Sequence, residues 1–448
     1  MNNNHPQGGE RKNVASRSHI WPPHVIHDIQ TKAELGRYQI RGFSTFFKIP
    51  TLDQLVFLPA ALTRLPLEGY RESCDTKTIL GGHKPDLVAR PMELDIPIYI
   101  ASMSFGALSR NAKIALGRGA TMVGTCTSTG EGGMLEDERI ASKKLIYQMT
   151  PSRYQLDLEH LRMADAIEIA VGQGAKPGTG GVLLGMKVID KVVEMRQLPK
   201  GIDQRSSVRH PDFLGADDMQ IKIEELRDAT GYQVPIFCKM PACRVAQDVK
   251  IAAKSGVDVI VIDGMEGATG ASPEFLLDHT GIPTLAAIPA ARRALEEIGM
   301  YGKVSLVVSG GIKSGVDVAK ALALGADAVA IGTASMIALG CNAPIYLEDY
   351  AALGAAPGAC YHCHTGLCPV GVATQDEKLQ ERLDPDAGAQ RLANYLRAMT
   401  MELTMIAKAC GKSSVHGLEP EDLRALTLEA SAMTGVPLAG VDKVVAPW

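Results

Sequence analysis

"KVSLVVSGGIKSGVDVAKALALGADAVAIGTASMIALG" (303–340) contains the same local pattern twice. In each copy a short apolar run ends in small and polar residues, "SGGIKSG" (309–315) and "GTAS" (332–335). The helical stretch "VDVAKALAL" separates the two runs. Apolar runs separated by a helix predict neighbouring strands of a parallel sheet that is buried on both faces.

The pattern recurs upstream of this stretch. Further strands are predicted within "DIPIYIASMSFGALS" (95–109), "GATMVGTCTSTGEGG" (119–133), "ADAIEIAVGQGAKPG" (164–178), "VPIFCKMPA" (234–242) and "GVDVIVIDGMEGATGAS" (256–272). An eighth strand is expected in the polar segment 200–212. No G-x-G-x-x-G follows the first strand, so an α/β fold of the (β/α)8 TIM-barrel type is favoured over an open doubly wound sheet. The predicted organisation is an N-terminal arm (1–80), the barrel (81–385) and a C-terminal helical extension (386–448).

Composition narrows the class of partner and the compartment. Lys and Arg total 46 against 50 Asp and Glu, a net charge of −4, which gives no reason to expect nucleic acid or an anionic membrane as a partner. The start, "MNNNHPQGGERKN", lacks an apolar signal region, and no stretch approaches the length of a membrane span. A cytoplasmic protein is therefore expected. Its nine cysteines are then better explained as ligands, catalysts or core residues than as disulfides.

The segment "ACYHCHTGLCPVG" (359–371) permits three interpretations. Cys360 to His364 matches the C-x-x-C-H pattern of c-type haem attachment, which a cytoplasmic location disfavours. The Cys and His residues could instead bind zinc. Cys360, Cys363 and Cys368 could also be thiolate ligands of an iron–sulfur cluster.

The predicted strand ends carry the chemistry, because barrel enzymes place their active sites there. The glycine-rich turns after the last two strands fit a phosphate, although glycines also serve in plain turns. Lys239, at a strand end, presents a cation to the barrel mouth. Lys176 and Arg196 add positive charge, while Glu131 is a candidate carboxylate of the site. Asp263 could bind sugar hydroxyls or cap a helix.

Taken together, seven motifs between about 100 and 375 resemble the flavin- and iron–sulfur-containing synthase domain of glutamate synthase. They are "MSFGALS", "TSTGEGG", "GQGAKPGTGG", "GATGASP", "SGGIKSG", "GTASMIALGC" and "CHTGLCPVGVATQ", in one consistent order. The resemblance implies an FMN-binding barrel that interconverts 2-iminoglutarate and glutamate by hydride transfer. It also implies an iron–sulfur cluster on the cysteine segment, with zinc as a weaker alternative.

The resemblance assigns roles to individual residues. Ser102, Met103, Ser104 and Gly106 are expected beside the flavin ring, Thr127, Gln148 and Lys239 at its edge, Asp263, Gly264 and Gly270 elsewhere along FMN, and Ser309, Gly310, Gly311, Gly332 and Thr333 around its phosphate. Lys176 and Arg196 are expected to anchor the carboxylates of a 2-oxo acid, and Glu131 to lie near the reacting nitrogen.

The cysteine spacing departs from the family pattern. "NAPIYLEDYAALGAAPGA" intervenes between Cys341 and Cys360, so either thiol could be the first ligand. Cys360, Cys363 and Cys368 would hold a three-iron [3Fe–4S] cluster, and participation of Cys341 as well would make a four-iron [4Fe–4S] cluster possible.

A freestanding synthase core implies partner chains: an amidotransferase-like subunit and a β-helical glutamate synthase-like subunit in a hetero-oligomer. In this respect the chain resembles the large, flavin-bearing subunit of the N-methylglutamate synthases (methylamine–glutamate N-methyltransferases), which implies conversion of methylamine and glutamate to N-methylglutamate and ammonia. The alternatives are a glutamate synthase core that aminates 2-oxoglutarate, a non-catalytic flavin and iron–sulfur electron-transfer scaffold, and a phosphate-binding barrel enzyme without flavin.

Overall fold

A computed structural model describes residues 18–441, 443 and 444. The described residues divide into two compact units, with the division after Ile40. The smaller unit contains helix α1 (Pro23–Leu35), which begins with a proline at its first position and ends at Gly36 in the left-handed conformation. None of the side chains of α1 is buried.

The larger unit is built on an eight-stranded parallel sheet. Its strands are β1 (Ile98–Ile100), β2 (Thr127–Ser128), β3 (Leu145–Met149), β4 (Ala166–Ala170), β5 (Ile236–Pro241), β6 (Val259–Asp263), β7 (Ser305–Ser309) and β8 (Ala328–Ile331). Each strand from β2 to β7 pairs with the next along the chain, and β8 pairs with β1. The backbone N–H of Ile100 donates to the Cys126 carbonyl at 3.0 Å, which joins β1 to the segment before β2. The predicted (β/α)8 barrel is confirmed.

Helices surround the strands. They are α2 (Arg110–Thr121), α3 (Glu136–Ala141), α4 (Leu158–Met163), α5 (Asp190–Arg196), α6 (Ala216–Thr230), α7 (Val245–Lys254), α8 (Glu274–His279), α9 (Thr284–Glu297), α10 (Gly315–Leu324), α11 (Thr333–Leu339), α12 (Leu347–Ala352), α13 (Glu377–Gln380), α14 (Pro385–Ala409) and α15 (Leu428–Thr434). The unpaired amides at the start of α10 are capped by Ser314, whose hydroxyl accepts from the Asp317 N–H. None of the helices in the described ranges has the length and apolar character needed to cross a membrane.

Short strands lie outside the barrel. They are Ile40–Phe43, Leu55–Phe57, Thr78–Leu80, Met92–Leu94, Val182–Leu183, Gln204–Arg205, Thr269–Pro273 and Leu423–Ala425. The hairpin of Thr78–Leu80 with Met92–Leu94 packs Leu80 and Met92 into the apolar cluster inside the barrel. Leu55–Phe57 pairs with Leu423–Ala425, so chain segments before and after the barrel meet.

Side-chain alternation along each strand gives the barrel two apolar layers. Val261 and Val307 belong to the cluster inside the barrel. Their neighbours Ile262 and Val308 belong to the cluster between the strands and the helices. Because both faces are buried, the strands appear in the sequence as continuous apolar runs.

The expected eighth strand at 200–212 is wrong. The missing strand is β3, the run "LIYQM" that follows α3. Within 200–212 only Gln204–Arg205 is extended, and it pairs antiparallel with Val182–Leu183 outside the barrel. That segment is too polar for a strand with both faces buried.

The three-part division of the chain remains a prediction. Parts of the expected arm and extension, residues 1–17, 442 and 445–448, lie outside the described residues. The described part of the extension is largely helical and includes α14, which is 25 residues long.

Candidate functional site

Polar side chains end the inward-facing rows of the barrel strands. Gln148 is the penultimate residue of β3, Glu168 is the middle residue of β4, and Lys239, Asp263 and Ser309 follow on β5, β6 and β7. Because all the strands are parallel, these ends meet at one mouth of the barrel. A cavity of about 530 Å³ opens there.

Most of the predicted site residues line this cavity. They are Ser102, Met103, Ser104, Glu131, Gln148, Lys176, Lys239, Asp263, Gly270, Ser309, Gly310, Gly311, Gly332 and Thr333. Four others do not: Gly106, Thr127, Gly264 and Arg196. The structure therefore brings the predicted flavin, phosphate and substrate residues to one cavity, with these four outside its lining.

Glu168 organises one side of the cavity. Its carboxylate accepts hydrogen bonds from the Ser102 hydroxyl at 2.6 Å and the Gln148 side-chain amide at 2.7 Å. The Ser128 hydroxyl extends this network by donating to Ser102 at 2.9 Å. Glu168 was not singled out from the sequence, although a carboxylate inside the apolar run "AIEIA" was a signal for it, because a buried charge requires partners.

Asp263 organises the opposite side. It accepts from the Ser309 hydroxyl at 2.6 Å and from the Gly174 N–H at 2.8 Å. Its carboxylate lies 4.0 Å from the Lys239 ammonium. The Asp263 carboxylate is thus fixed by the loop after β4 and by β7, and Lys239 retains hydrogen-bonding capacity toward the cavity.

The turn after β7 forms a glycine-lined wall. Gly310 and Gly311 have φ of 106° and 75°, in the left-handed region that L side chains rarely adopt. A Cβ on Gly310 would lie 3.0 Å from the backbone nitrogen of Gly264, which packs directly behind it. The close backbone packing explains why Gly264 is outside the cavity lining, and why this turn exposes backbone rather than side chains.

Lys176 is a buried cation on the cavity wall. Its side chain is 2% exposed, and its ammonium donates to the Ala271 carbonyl at 2.6 Å. Burial lowers the pKa of Lys176 to about 8, and the negative charge of Glu131 opposes that shift. An amine with one carbonyl partner at the edge of a cavity can bind an anionic substrate group.

Arg196 lies behind the wall, near the end of α5. Its guanidinium donates to the Phe105 carbonyl at 2.6 Å and to the Gln204 side chain at 2.8 Å. A Cβ on Gly106 would lie 2.9 Å from it, so this glycine allows the guanidinium to approach the loop. Arg196 supports the loop after β1 and, as placed, does not reach the cavity.

A buried ion pair beneath the cavity was missed in the sequence. Lys113, on α2, and Glu138, on α3, are both fully buried with 2.7 Å between nitrogen and oxygen. The Lys113 ammonium also donates to the carbonyls of Met103, Ser128 and Thr129. It therefore ties together the loops after β1 and β2, but a single lysine in a helical pattern gave no sign of this.

A second, smaller pocket is lined by four cysteines: Cys341, Cys360, Cys363 and Cys368. Burial and the neighbouring Cys368 thiolate raise the pKa of Cys363 to about 12. Burial and the other thiolates also raise the pKa of Cys341. Gathered thiolates of like charge are unfavourable without a cation, which is the environment that a metal group neutralises.

The spacing of these thiols disfavours a single zinc ion. A tetrahedral zinc with bonds of about 2.3 Å would hold its sulfur ligands about 3.8 Å apart. Among the described residues, no three Cys or His ligand atoms lie within 4.8 Å of one another. A cluster of several metal ions holds its ligands further apart, so the donor set fits iron and sulfur better than zinc.

The two cavities share one side chain, since Cys363 lines both. Behind it, the buried Lys187 ammonium donates to the Cys363 carbonyl at 3.1 Å and to the Ala107 carbonyl at 2.6 Å. Burial lowers the pKa of Lys187 to about 8, against the opposing charges of Cys363 and Cys368. Lys187 thus connects the cysteine loop to the loop after β1.

Known proteins are similar to this chain in sequence and in fold. Residues 51–413 match the model of the conserved region in glutamate synthase. A glutamate synthase large subunit-like protein of Rhizobium meliloti is 55% identical over 424 residues, covering 95% of each chain. An archaeal glutamate synthase (NADPH) of Methanocaldococcus jannaschii is 36% identical, covering 90% of this chain and 81% of its own length.

Solved structures share the barrel at low sequence identity. A lactate oxidase of Pediococcus acidilactici aligns with a TM-score of 0.52 and 15% identity, covering 86% of this chain and 89% of its own. A flavocytochrome b2 variant with bound sulfite aligns with a TM-score of 0.51 and 18% identity, covering 86% and 80%. At these identities the likeness concerns the fold alone.

Proposed function

The chain belongs to the glutamate synthase family, and on this premise we propose that it is the FMN-dependent core of a glutamate synthase. In the proposed reaction 2-oxoglutarate, ammonia, two electrons and two protons give L-glutamate and water through 2-iminoglutarate. The observation that carries the proposal is that one cavity is lined by the glycine-rich turn after β7, by Lys239 with the polar side chains of the neighbouring strands, and by the buried Lys176.

The residues at the mouth fit FMN. Backbone at Gly310, Gly311 and Gly332 is free of side chains where a phosphate would need N–H donors. Ser102 and Gln148, fixed by Glu168, offer polar groups to a ring edge, and Lys239 offers a cation. When bound, FMN would supply the two-electron hydride chemistry that no side chain can perform.

The chain's own residues would orient the substrate and handle protons. Lys176 would pair with a carboxylate of 2-oxoglutarate, and its position on the wall would direct the keto carbon into the cavity. Glu131 lines the same cavity as Lys176. Its carboxylate packs so closely against Gly181 that a Cβ on Gly181 would collide with it. Glu131 would accept a proton as ammonia adds to the keto carbon, and return one as water leaves.

The thiol pocket would hold an iron–sulfur cluster next to this site. Cys360, Cys363 and Cys368 are the ligands that the family resemblance implies. Because Cys363 also lines the main cavity, the cluster would lie close enough to exchange electrons with the flavin. A reductase or ferredoxin-like partner would then deliver electrons through the cluster.

A second candidate is the methylamine-transferring reaction of an N-methylglutamate synthase, with amidotransferase-like and β-helical partner subunits. The match to the Rhizobium protein extends over nearly the whole of both chains, whereas about a fifth of the archaeal relative lies outside its match. That organisation is compatible with one subunit of a larger assembly. The same cavity would serve, because both reactions proceed through an imine of 2-oxoglutarate.

The test uses the full chain purified anaerobically with the subunits encoded beside it, after a bound flavin spectrum has been recorded. One assay supplies 2-oxoglutarate, labelled ammonia and a reductant. The other supplies glutamate and labelled methylamine without reductant. Labelled glutamate in the first assay supports the synthase, and N-methylglutamate in the second supports the transferase. A flavin-free, inactive complex contradicts both.

A further inference from the structure

The segment between Cys341 and Cys360 folds over the thiol pocket as a wall. Its helix α12 carries Tyr350, whose side chain is 1% exposed and lines the pocket. Asn342 joins the two ends of the segment. Its side-chain oxygen accepts from the Cys360 N–H at 2.9 Å, and its amide nitrogen lies 3.5 Å from the Cys341 sulfur as a donor. The segment that separates the cysteines in sequence thus brings both to one pocket.

A buried hydroxyl and a buried ring nitrogen of this wall lack acceptors within the described chain. The Tyr350 hydroxyl is buried and has no hydrogen-bond partner among the described residues. The His362 Nε2 atom is likewise buried and unpartnered, and its ring lines the same pocket. Buried polar groups usually have partners, and these two belong to residues that line the same pocket as the four thiols.

We propose that this pocket holds a four-iron cluster with Cys341 as its fourth ligand, and that the Tyr350 hydroxyl and His362 Nε2 donate hydrogen bonds to the cluster's sulfur atoms. The inference rests on the proposed function in one respect, the presence of an iron–sulfur cluster. The proposal differs from a cluster held by Cys360, Cys363 and Cys368 alone, because it makes the segment that begins at Cys341 part of the site.

The chemistry of the wall supports this assignment. A cubane cluster has one iron at each of four corners and takes one thiolate at each. Cys341 already has an N–H donor that suits a thiolate ligand, the Asn342 side chain. Hydrogen bonds to cluster sulfur stabilise the reduced state more than the oxidised one, because the reduced cluster carries more negative charge.

Iron counting and electron paramagnetic resonance (EPR) on the anaerobic wild-type chain test the ligand set. We expect about four irons and four sulfides per chain. The oxidised cluster should give no EPR signal, since an oxidised four-iron cluster is diamagnetic, and a signal should appear on reduction. In Cys341→Ala we expect loss of about one iron and a paramagnetic signal in the oxidised state. Cys243→Ala, an exposed cysteine outside the pocket, should match the wild type.

The hydrogen-bond donors have a separate readout in the midpoint potential. Tyr350→Phe removes one oxygen and keeps the ring, so we expect the wild-type iron content and a more negative potential. His362→Phe should shift the potential in the same direction. Tyr147→Phe, a buried tyrosine outside the pocket, is the matched control and should leave the potential unchanged.

Each part can fail on its own. Three irons in the wild type, or a Cys341→Ala spectrum identical to it, overturns the fourth ligand. An unchanged potential in both Tyr350→Phe and His362→Phe overturns the hydrogen bonds. Flavin-containing, iron-free protein, or one zinc without sulfide, refutes the cluster but leaves the flavin site. Iron-loaded protein without glutamate formation refutes the proposed function instead.

Discussion

The main cavity and the thiol pocket are built in opposite ways. The cavity takes most of its residues from the ends of the barrel strands and the loops that follow them, with additions from residues 43–51 and from Cys363. The thiol pocket takes almost all of its residues from the loops and short helices between Met336 and Ala373. The barrel fixes its cavity by strand register, whereas the pocket depends on how one irregular segment folds. Chemistry at a barrel mouth is therefore easier to infer from sequence than chemistry on such a segment.

The largest expected effect concerns the support beneath the main cavity. Lys113→Met removes a fully buried cation that pairs with the fully buried Glu138 and donates to three carbonyls. Breaking a buried pair in this way typically costs about 3–5 kcal/mol of unfolding free energy. We expect this loss in chemical denaturation, together with weakened FMN binding and an unchanged iron content.

The double variant Lys113→Met with Glu138→Gln is the control. It removes the uncompensated carboxylate and should recover part of the stability, although the carbonyl contacts stay lost. If Lys113→Met also lowers the iron content, the main cavity and the thiol pocket depend on each other, although they are formed by different parts of the chain.

Lys187 contacts both regions, so its substitution tests whether the main cavity and the thiol pocket are independent of each other. Lys187→Met removes donors to the carbonyls of Cys363 and Ala107, one in each region. Hydrogen bonds from a charged group contribute about 1.5–3 kcal/mol, so we expect about 2–3 kcal/mol of destabilisation. FMN and iron contents should fall together. The exposed Lys191→Met is the matched control, and loss of one cofactor alone would restore the separation of the regions.

Within the main cavity, Lys176→Met tests the anion site. The variant should retain FMN and the fold, because the side chain is replaced by an apolar one of similar length. Loss of a charged contact of about 1.5–3 kcal/mol predicts a fall in kcat/KM for 2-oxoglutarate of about 10–100-fold. Steady-state kinetics with a chemical reductant give this value. A fall of less than threefold, equal to that of Lys191→Met, would remove Lys176 from the site.

The same lysine predicts a dependence on pH. Its pKa of about 8 means that the ammonium is charged below that pH and neutral above it. Attraction for the 2-oxoglutarate carboxylate is therefore present at lower pH and lost as the pH rises through about 8. Above that value kcat/KM should fall by about tenfold per pH unit, as the charged fraction does. In Lys176→Arg, kcat/KM should stay constant above pH 8, because a guanidinium stays charged.

The sequence predicted the barrel because its strands are apolar runs with polar ends, and the family resemblance implied most of the cavity residues. The same reasoning failed at 200–212, where a polar hairpin outside the barrel was mistaken for a strand. The resemblance implied that Arg196 anchors a substrate carboxylate, and sequence position alone cannot tell on which side of the cavity lining a long side chain lies. The joint location of Cys341 with the other cysteines depends on the fold of the intervening segment, so spacing alone left it open.

The smallest effect is expected at the rim of the main cavity, in the ion pair of Asp53 with Lys313. Nitrogen and oxygen are 3.0 Å apart, close to the separation in the Lys113–Glu138 pair, but both side chains are more than half exposed. The Lys313 hydrogen bond lowers the pKa of Asp53, yet exposed pairs contribute only about 0–1 kcal/mol because water and salt screen them. Asp53→Asn should therefore change the unfolding free energy by less than about 1 kcal/mol, and the change should vanish at high salt. A salt-independent loss as large as that of Lys113→Met would mean that the rim supports the cavity as much as its floor does.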